Sequence, residues 1–205
     1  MNSHDVRRQW ADQSGAYSPE YYAHHGPDER SEAVREHLDE TVGAGASVLE
    51  LGCSSGRHLQ HLFANGYDDL TGIELNGDAV DVMAETYPAL AETATIHVGA
   101  MEDVLQEVDD DAFDAIFAVE TLQHVHPDAT WVFDEIARVT SDALVVIENE
   151  GEDHPDREAG VTDVDGFPLY FRDWESIFTD CGLNSVAARE GTRDTIRLFR
   201  TPDHD

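Results

Sequence analysis

The chain has 205 residues, of which 12 are basic and 44 acidic, giving a formal net charge of −32. All twelve basic residues are Arg. A chain of this length suits one domain, which buries roughly 70% of its unfolded surface. The charge makes nucleic acids and anionic membranes unfavourable partners and predicts adaptation to a salty cytoplasm. The 40% apolar content falls in strand-length runs, which excludes a disordered acidic chain.

The cysteines, histidines and apolar runs indicate the cellular compartment of the protein and whether it binds a metal. Cys53 and Cys181 are too few for a disulfide framework, and the first residues lack the apolar core of a signal peptide. No apolar run approaches the roughly 20 residues of a membrane span. These features predict a reduced, cytoplasmic protein with no membrane partner. The histidine pairs lack the ligand set of a zinc site, so no metal is expected.

Taken in chain order, the elements predict a single domain with three parts. Residues 1–45 form a helical lid or brace, with a break at Ser18-Pro19 and an amphipathic helix near 29–42. Residues 46–200 form the core, because short apolar runs alternate there with helical stretches, one of them around 129–139. That rhythm predicts βαβ units and a doubly wound, mainly parallel α/β sheet. Residues 201–205 form a tail.

The C-terminal third departs from the βαβ rhythm. The polar stretch 149–165 is predicted to be a surface loop. A helix is expected near 173–181, ending at Gly182. The runs NSVAARE and TIRLFR, separated by Gly191-Thr192-Arg193, predict a terminal antiparallel hairpin.

The most informative segment is VLELGCSSGRHLQHL, in which the loop 52–56 joins a predicted strand to a helix. Open α/β sheets bind ligands at such corners. A dinucleotide fingerprint fails, since Ser54 and Arg57 stand where glycines are required. Ser54 also centres a literal G-x-S-x-G, so a serine hydrolase remains an alternative. It is disfavoured because no upstream strand carries an oxyanion loop and Glu50 would place negative charge near the reaction.

Glu50 is an acid at the end of a strand that should be buried and apolar, where it requires a partner. The run ELGCSSG resembles motif I, E-x-G-x-G-x-G, of class I S-adenosylmethionine-dependent methyltransferases, with Ser at the middle glycine. The resemblance implies that the loop backbone lines the methionine end of the cofactor and that Glu50 supports its amino group. The cofactor-binding positions implied here are Glu50, Gly52, Cys53, Ser54 and Gly56.

The second predicted strand, LTGIEL, supplies the ribose position. Glu74 ends this strand 22 positions beyond Gly52, where a carboxylate can accept hydrogen bonds from both ribose hydroxyls. The resemblance extends to this strand end and implies that Leu75 packs against adenine. Glu74 as a merely solvated strand end is the alternative.

The segment after the third strand, GAMED, resembles the family's G-D-A segment, in which an acid contacts the adenine amino group. Ala100 replaces that acid. The resemblance implies that Met101 offers its backbone to the ring, while Glu102 or Asp103 either substitutes for the missing acid or is a solvated acid of a helix start.

The fourth strand runs into ETLQHV, which resembles the segment beneath the transferable methyl. Glu120 is expected to face the sulfonium or amino group of the cofactor. His124 is the first candidate for a general base, since an unperturbed imidazole accepts a proton near neutrality. The alternative is a loop histidine that packs or caps a turn, and His126 is assigned to turn chemistry. With this segment the resemblance covers about residues 46–148.

The surroundings of the acceptor give weaker signals. Arg57 is a candidate partner for the cofactor carboxylate, and the N-terminal tyrosines are candidates to close over the pocket. The loop 149–172 is expected to shape the acceptor pocket. The N-P-P-Y type signature for base or amide nitrogens is absent, which favours a small-molecule acceptor over DNA. A cofactor-binding protein without turnover stays open as a second alternative. The residues concerned are Arg57, Tyr17, Tyr21, Tyr22, Phe167, Tyr170 and Phe171.

Overall fold

The computed structural model describes residues 2–12, 18–151, 154–164, 166–191 and 193–202. Seven strands form one sheet in the order β3-β2-β1-β4-β5-β9-β8, parallel except at β9, which runs antiparallel to both of its neighbours. The sheet strands are β1 Val48–Leu51, β2 Leu70–Glu74, β3 Thr95–Val98, β4 Phe113–Val119, β5 Thr140–Glu148, β8 Asn184–Glu190 and β9 Thr195–Arg200. The predicted mainly parallel sheet and terminal hairpin are therefore confirmed.

Helices cover both faces of the sheet. Successive residues of β1 point to opposite faces, so Val48 joins the apolar cluster with α3 and α4, and Leu49 joins the cluster with α8 and α9. Both faces being buried explains the nearly continuous apolar strands. The helices are α1 Ser3–Ala11, α2 Pro19–His25, α3 Glu29–Thr41, α4 Arg57–Ala64, α5 Gly77–Thr86, α6 Pro88–Thr93, α7 Met101–Val104, α8 Val132–Val139 and α9 Trp174–Asp180.

Local chemistry sets several helix boundaries. The Asp28 side chain accepts hydrogen bonds from the backbone N–H of Arg30 and Ser31, at 3.0 and 3.2 Å, and so begins α3. The helix predicted around 129–139 begins only at Val132, because a 3₁₀ turn occupies Pro127–Ala129.

The prediction of a plain surface loop over 149–165 is wrong. This stretch holds a 3₁₀ turn, Arg157–Ala159, and the strand β6, Val161–Val164, which pairs antiparallel with β7, Phe167–Tyr170. The β-branched residues Val161, Thr162 and Val164 favour the extended conformation of β6. It lies outside the seven-stranded sheet and, as shown below, supports the site.

The strand order reverses between β1 and β4, whose carboxyl ends open toward a common cleft. Such a switch point is where open α/β sheets bind ligands. Within the described residues, no helix combines the length and apolar character needed to cross a bilayer.

Candidate active site

A cavity of about 170 Å³ lies at the carboxyl ends of β1, β2 and β4. The helices α1 and α2 contribute side chains to its wall. Glu50 and Gly56 are outside the lining. The other ten predicted positions line the cavity, namely Gly52, Cys53, Ser54, Arg57, Glu74, Leu75, Ala100, Met101, Glu120 and His124.

The glycine loop packs against the segment that follows β4. Gly52 has φ +70°, and a Cβ there would lie 2.5 Å from Thr121 Oγ1. Only glycine fits this position, both for its backbone and for its neighbour. Cys53 is buried, and burial raises the pKa of its thiol well above the ordinary value. At Gly52 and Cys53 it is therefore mainly the loop backbone that faces the cavity.

Glu74 joins the second strand to the glycine loop. Its carboxylate accepts hydrogen bonds from the backbone N–H of Ser54 and of Asn76, each at 2.7 Å. Burial raises its pKa, although these two donors act in the opposite direction. Each carboxylate oxygen keeps a second lone pair, so Glu74 can hold the loop and accept further hydrogen bonds from a ligand.

Glu50 lies behind the cavity wall. It is 1% exposed, its Oε2 has no hydrogen-bond partner among the described residues, and burial raises its pKa well above the ordinary value. The guanidinium of Arg57 opposes this shift. Glu50 is therefore placed to act on the site through the loop above it.

The segment after β3 places one of its two acids in the cavity. Ala100 and Met101 line the wall, as does Glu102, which is buried. Asp103 points outward with a side chain 76% exposed, paired to Arg7 at 3.5 Å. Of the two candidates to substitute for the acid missing at position 100, Glu102 is the one in position.

Glu120 occupies a strained position at the end of β4, with φ +50°. Its carboxylate lies 3.0 Å from Arg193 and 3.8 Å from Arg30. Burial raises its pKa. Arg57 lines the cavity with only 11% of its side chain exposed, pairs with Asp28 at 3.1 Å and lies over the Tyr22 ring.

His124 is held in one tautomer. Its Nδ1 lies 2.9 Å from the carbonyl oxygen of Pro168, which can only accept, so Nδ1 carries the proton. Nε2 therefore presents a lone pair, 3.4 Å from the amide nitrogen of Gln123. Burial lowers the pKa of His124 to about 4, so the imidazole is neutral at physiological pH. The His124 side chain is part of the cavity lining.

Glu148, at the end of β5, is a residue that the sequence analysis missed. It is fully buried and accepts hydrogen bonds from the backbone N–H of Thr121, Leu122 and Gln123, at 2.7 to 3.1 Å. Burial raises its pKa to about 8, against the effect of these donors. Glu148 thereby fixes the turn that presents His124. Its signal, an acid ending an apolar strand, was the same one that singled out Glu50.

The lid contributes side chains that the sequence analysis did not single out. Arg7 and Trp10 of α1 line the cavity, and Trp10 packs on the His124 ring at 4.7 Å between centroids. Gln9 Nε2 donates to the carbonyl oxygen of Gly166 at 2.9 Å, which fastens α1 to the β6–β7 sheet. Predicting these residues would have required knowing which face of α1 packs against the cavity.

The aromatic candidates separate into three groups. Tyr22 lines the cavity, whereas Tyr21 lies outside the lining with 41% exposure, and Tyr17 falls outside the described residues. Phe167 packs behind Trp10 at 4.1 Å between centroids, so it shapes the wall indirectly. Tyr170 stacks under the Arg172 guanidinium instead of reaching the cavity. Phe171, also outside the lining, packs against Gly151 and His154.

The hydrolase alternative finds no support in the geometry. Ser54 has φ +48° and donates its backbone N–H to Glu74. In the described part of the chain, no histidine makes a hydrogen bond to Ser54 Oγ, so the base of a triad is missing. Nor do the described residues include a group of three or more His, Cys, Asp or Glu arranged to hold a metal ion.

Comparison with known proteins adds a family match. Residues 48–143 match the model of a methyltransferase domain. The O-methyltransferase cnsE of Penicillium expansum is 25% identical over 197 residues, covering 88% of this chain and 71% of its own length. Among solved structures, an S-adenosylmethionine dependent methyltransferase from Mesorhizobium loti is similar with a TM-score of 0.68 and 15% identity, over 82% of this chain and 96% of that one.

A second solved structure is the 1,6-didemethyltoxoflavin-N1-methyltransferase of Burkholderia thailandensis, with bound 1,6-didemethyltoxoflavin and S-adenosylhomocysteine. It has a TM-score of 0.65 and 19% identity, over 98% of this chain and 84% of that one. The family match runs from the first residue of β1 into β5, and so contains the glycine loop, Glu74 and His124.

Proposed function

We propose that this chain is an S-adenosylmethionine-dependent methyltransferase and that it methylates a small molecule held beside His124. The observation that carries the proposal is the place of His124, neutral and with Nδ1 as the donor, in the lining of a cavity to which α1 and α2 also contribute. A covered cavity of about 170 Å³ suits a small acceptor better than a polymer. The O-methyltransferase and toxoflavin relatives also support a small acceptor.

The lining residues fit the cofactor. S-adenosylmethionine, when bound, supplies a methyl group on a sulfonium cation, which a nucleophile displaces in line. Three carboxylates, of Glu74, Glu102 and Glu120, line the cavity and favour a cationic ligand. Because Gly52 has no side chain, the loop backbone can contact the methionine end of the cofactor directly.

We assign the remaining roles as follows. Glu74 accepts from the ribose hydroxyls, Leu75 and Met101 enclose adenine, and Glu102 stands in for the acid absent at Ala100. Arg57 has a partner in Asp28 and offers its other donors to the cofactor carboxylate. Glu50 supports the loop from behind, and Gly56 begins α4.

His124 accepts a hydrogen bond from the attacking hydroxyl through Nε2 and orients its lone pair toward the methyl group. Trp10 and the Pro168 carbonyl fix the ring in this orientation, and the hydroxyl replaces the long contact of the Gln123 amide with Nε2. With its pKa lowered to about 4, the imidazole positions the nucleophile and takes its proton only as the new bond forms.

Binding of S-adenosylhomocysteine, measured by calorimetry, tests the cofactor site. We expect one-to-one binding that Glu74→Ala weakens at least tenfold, because two ribose hydrogen bonds and a loop contact are lost. Glu85→Ala removes an exposed acid of α5 and should leave affinity unchanged. Absence of binding by the folded protein would overturn the assignment, whereas binding without methyl transfer to any acceptor would indicate a protein that has lost turnover.

We further propose that 1–45 and 46–200 act as lid and core of a single domain in a reduced, cytoplasmic, salt-adapted protein that does not act on nucleic acids. The contacts of α1 with β6–β7 and of α3 with α4 support one domain. The net charge of −32 supports the salt adaptation and disfavours phosphate backbones. Of the tail, residues 203–205 lie outside the described residues.

A further inference from the structure

Two buried donors on α1 lack hydrogen-bond partners among the described residues. They are Arg7 Nε and Trp10 Nε1, which lie three positions apart and so on the same face of the helix. Both side chains line the cavity. A buried N–H without an acceptor costs about 1–3 kcal/mol, so two such groups on one wall indicate an acceptor supplied by a ligand.

The charges around Arg7 indicate that the acceptor supplied by the ligand is anionic. Two arginines line the cavity, and Arg57 is already engaged with Asp28 and the Tyr22 ring. Within the described part of the chain, the ion pair of Arg7 is with the outward-pointing Asp103, at 3.5 Å through Nη1. In a chain of net charge −32, an anionic ligand needs such a local cation to approach.

The same wall is flat and aromatic. The indole of Trp10 lies against the His124 ring, with centroids 4.7 Å apart, and Tyr22 lines the cavity from α2. Aromatic side chains in a cavity wall favour contact with a planar ring. Within the described residues, His124 Nε2 accepts from the Gln123 amide at a long 3.4 Å, so a ligand hydroxyl can replace that amide as the donor.

We propose that the methyl acceptor is a hydroxylated aromatic carboxylate. Its hydroxyl donates to His124 Nε2, and its carboxylate accepts from Arg7 Nε and Trp10 Nε1. The hydroxyl oxygen attacks the methyl carbon, the sulfonium leaves as the neutral thioether, and the hydroxyl proton passes to His124 and then to solvent. This assignment rests on the proposed methyltransferase function and specifies its substrate class.

The test uses hydroxybenzoates and hydroxycinnamates, each paired with its own methyl ester, as probes with S-adenosylmethionine. We expect kcat/KM for the best acid to exceed that for its ester at least tenfold. Arg7→Gln and Trp10→Phe should each lower kcat/KM for the acid by ten- to a hundredfold while changing the ester less than threefold. Arg8→Gln, which alters the exposed neighbour paired with His4, serves as the control.

The outcomes separate this assignment from the proposed function. Equal rates for acids and esters, or equal losses on both in the variants, would overturn the carboxylate contact. If no member of the panel is methylated while S-adenosylhomocysteine binds normally, the substrate class is wrong and the methyltransferase site stands. If S-adenosylhomocysteine fails to bind, both the proposed methyltransferase function and the proposed acceptor class are wrong.

Discussion

At the scale of single residues, His124 owes its chemistry to one carbonyl group. The Pro168 carbonyl oxygen accepts a hydrogen bond from Nδ1–H, and burial lowers the pKa of the ring to about 4. Pro168 belongs to β7, so the small sheet that lies outside the main one determines which ring nitrogen carries the proton and which carries the lone pair. A histidine that would otherwise titrate near neutrality is thereby kept as a hydrogen-bond acceptor.

Replacing His124 by Gln should lower kcat by about a hundredfold with little change in S-adenosylhomocysteine affinity, since the imidazole acts on the acceptor. His126→Gln, two residues on and outside the cavity lining, is the matched control. In the unmodified enzyme, the pH profile of kcat/KM should show no histidine step between pH 5 and 8. A drop in rate centred near pH 6.5 would mean that the ring is not held neutral, and unaltered turnover in His124→Gln would remove it from the mechanism.

Most residues of the cofactor half were predictable, because loop spacing and acids at strand ends are local signals. Glu74 follows from such a signal, and Glu148 carries the same one. Arg7 and Trp10 were not predictable, since nothing local states that α1 folds over the sheet edge. The outward orientation of Asp103 likewise depends on where the first turn of α7 packs.

At the scale of elements, α3 and α4 are joined by a buried polar contact at the wall of the cavity. Ser31 Oγ and His58 Nδ1 lie 2.7 Å apart, and His58 is 5% exposed. Burial lowers the pKa of His58 to about 3, with the neighbouring Arg57 acting in the same direction. Protonating this ring would place a charge in the core beside an arginine, so the contact holds only while His58 is neutral.

This contact predicts a loss of stability in acid. Because folding lowers the pKa of His58, the unfolded chain binds the proton more readily. Stability therefore falls as the pH drops from 6.5 toward about 3, by up to about 4 kcal/mol. Urea unfolding in 2 M KCl at pH 7.5, 5.5 and 4.5 should show a steeper decline for the unmodified chain than for His58→Asn, which cannot titrate. Parallel declines would place the acid sensitivity elsewhere.

The βαβ rhythm identified the main sheet because its strands are apolar and evenly spaced. The β6–β7 pair was not predicted because its strands are short and lie within a polar stretch. Their burial alternates along the strand, as in a sheet with one exposed face, so they lack a continuous apolar run. Its effect on the site runs through Pro168 and Gly166, which act by backbone carbonyls. Contacts made by backbone carbonyls cannot be recognised from the side chains in the sequence.

At the scale of the whole molecule, charge decides when the fold is stable. The 44 carboxylates face only twelve arginines, eight of which form ion pairs with acidic side chains in the described residues. Those local pairs leave a large uncompensated negative charge on the surface. The resulting repulsion acts over a Debye length of about 10 Å at 0.1 M salt and about 3 Å at 1 M. Composition alone predicts this property, and it does not depend on the fold.

The midpoint of thermal unfolding should therefore rise by at least about 5 °C between 0.1 M and 2 M KCl, because screening removes repulsion worth one or two kcal/mol. A variant with Asp68→Asn, Asp69→Asn, Glu92→Gln and Asp109→Asn neutralises four exposed acids and brings the net charge from −32 to −28. Its midpoint should be higher than that of the unmodified chain at 0.1 M and nearly equal at 2 M. An identical salt response in both proteins would show that the salt acts by strengthening apolar burial and not by screening charge.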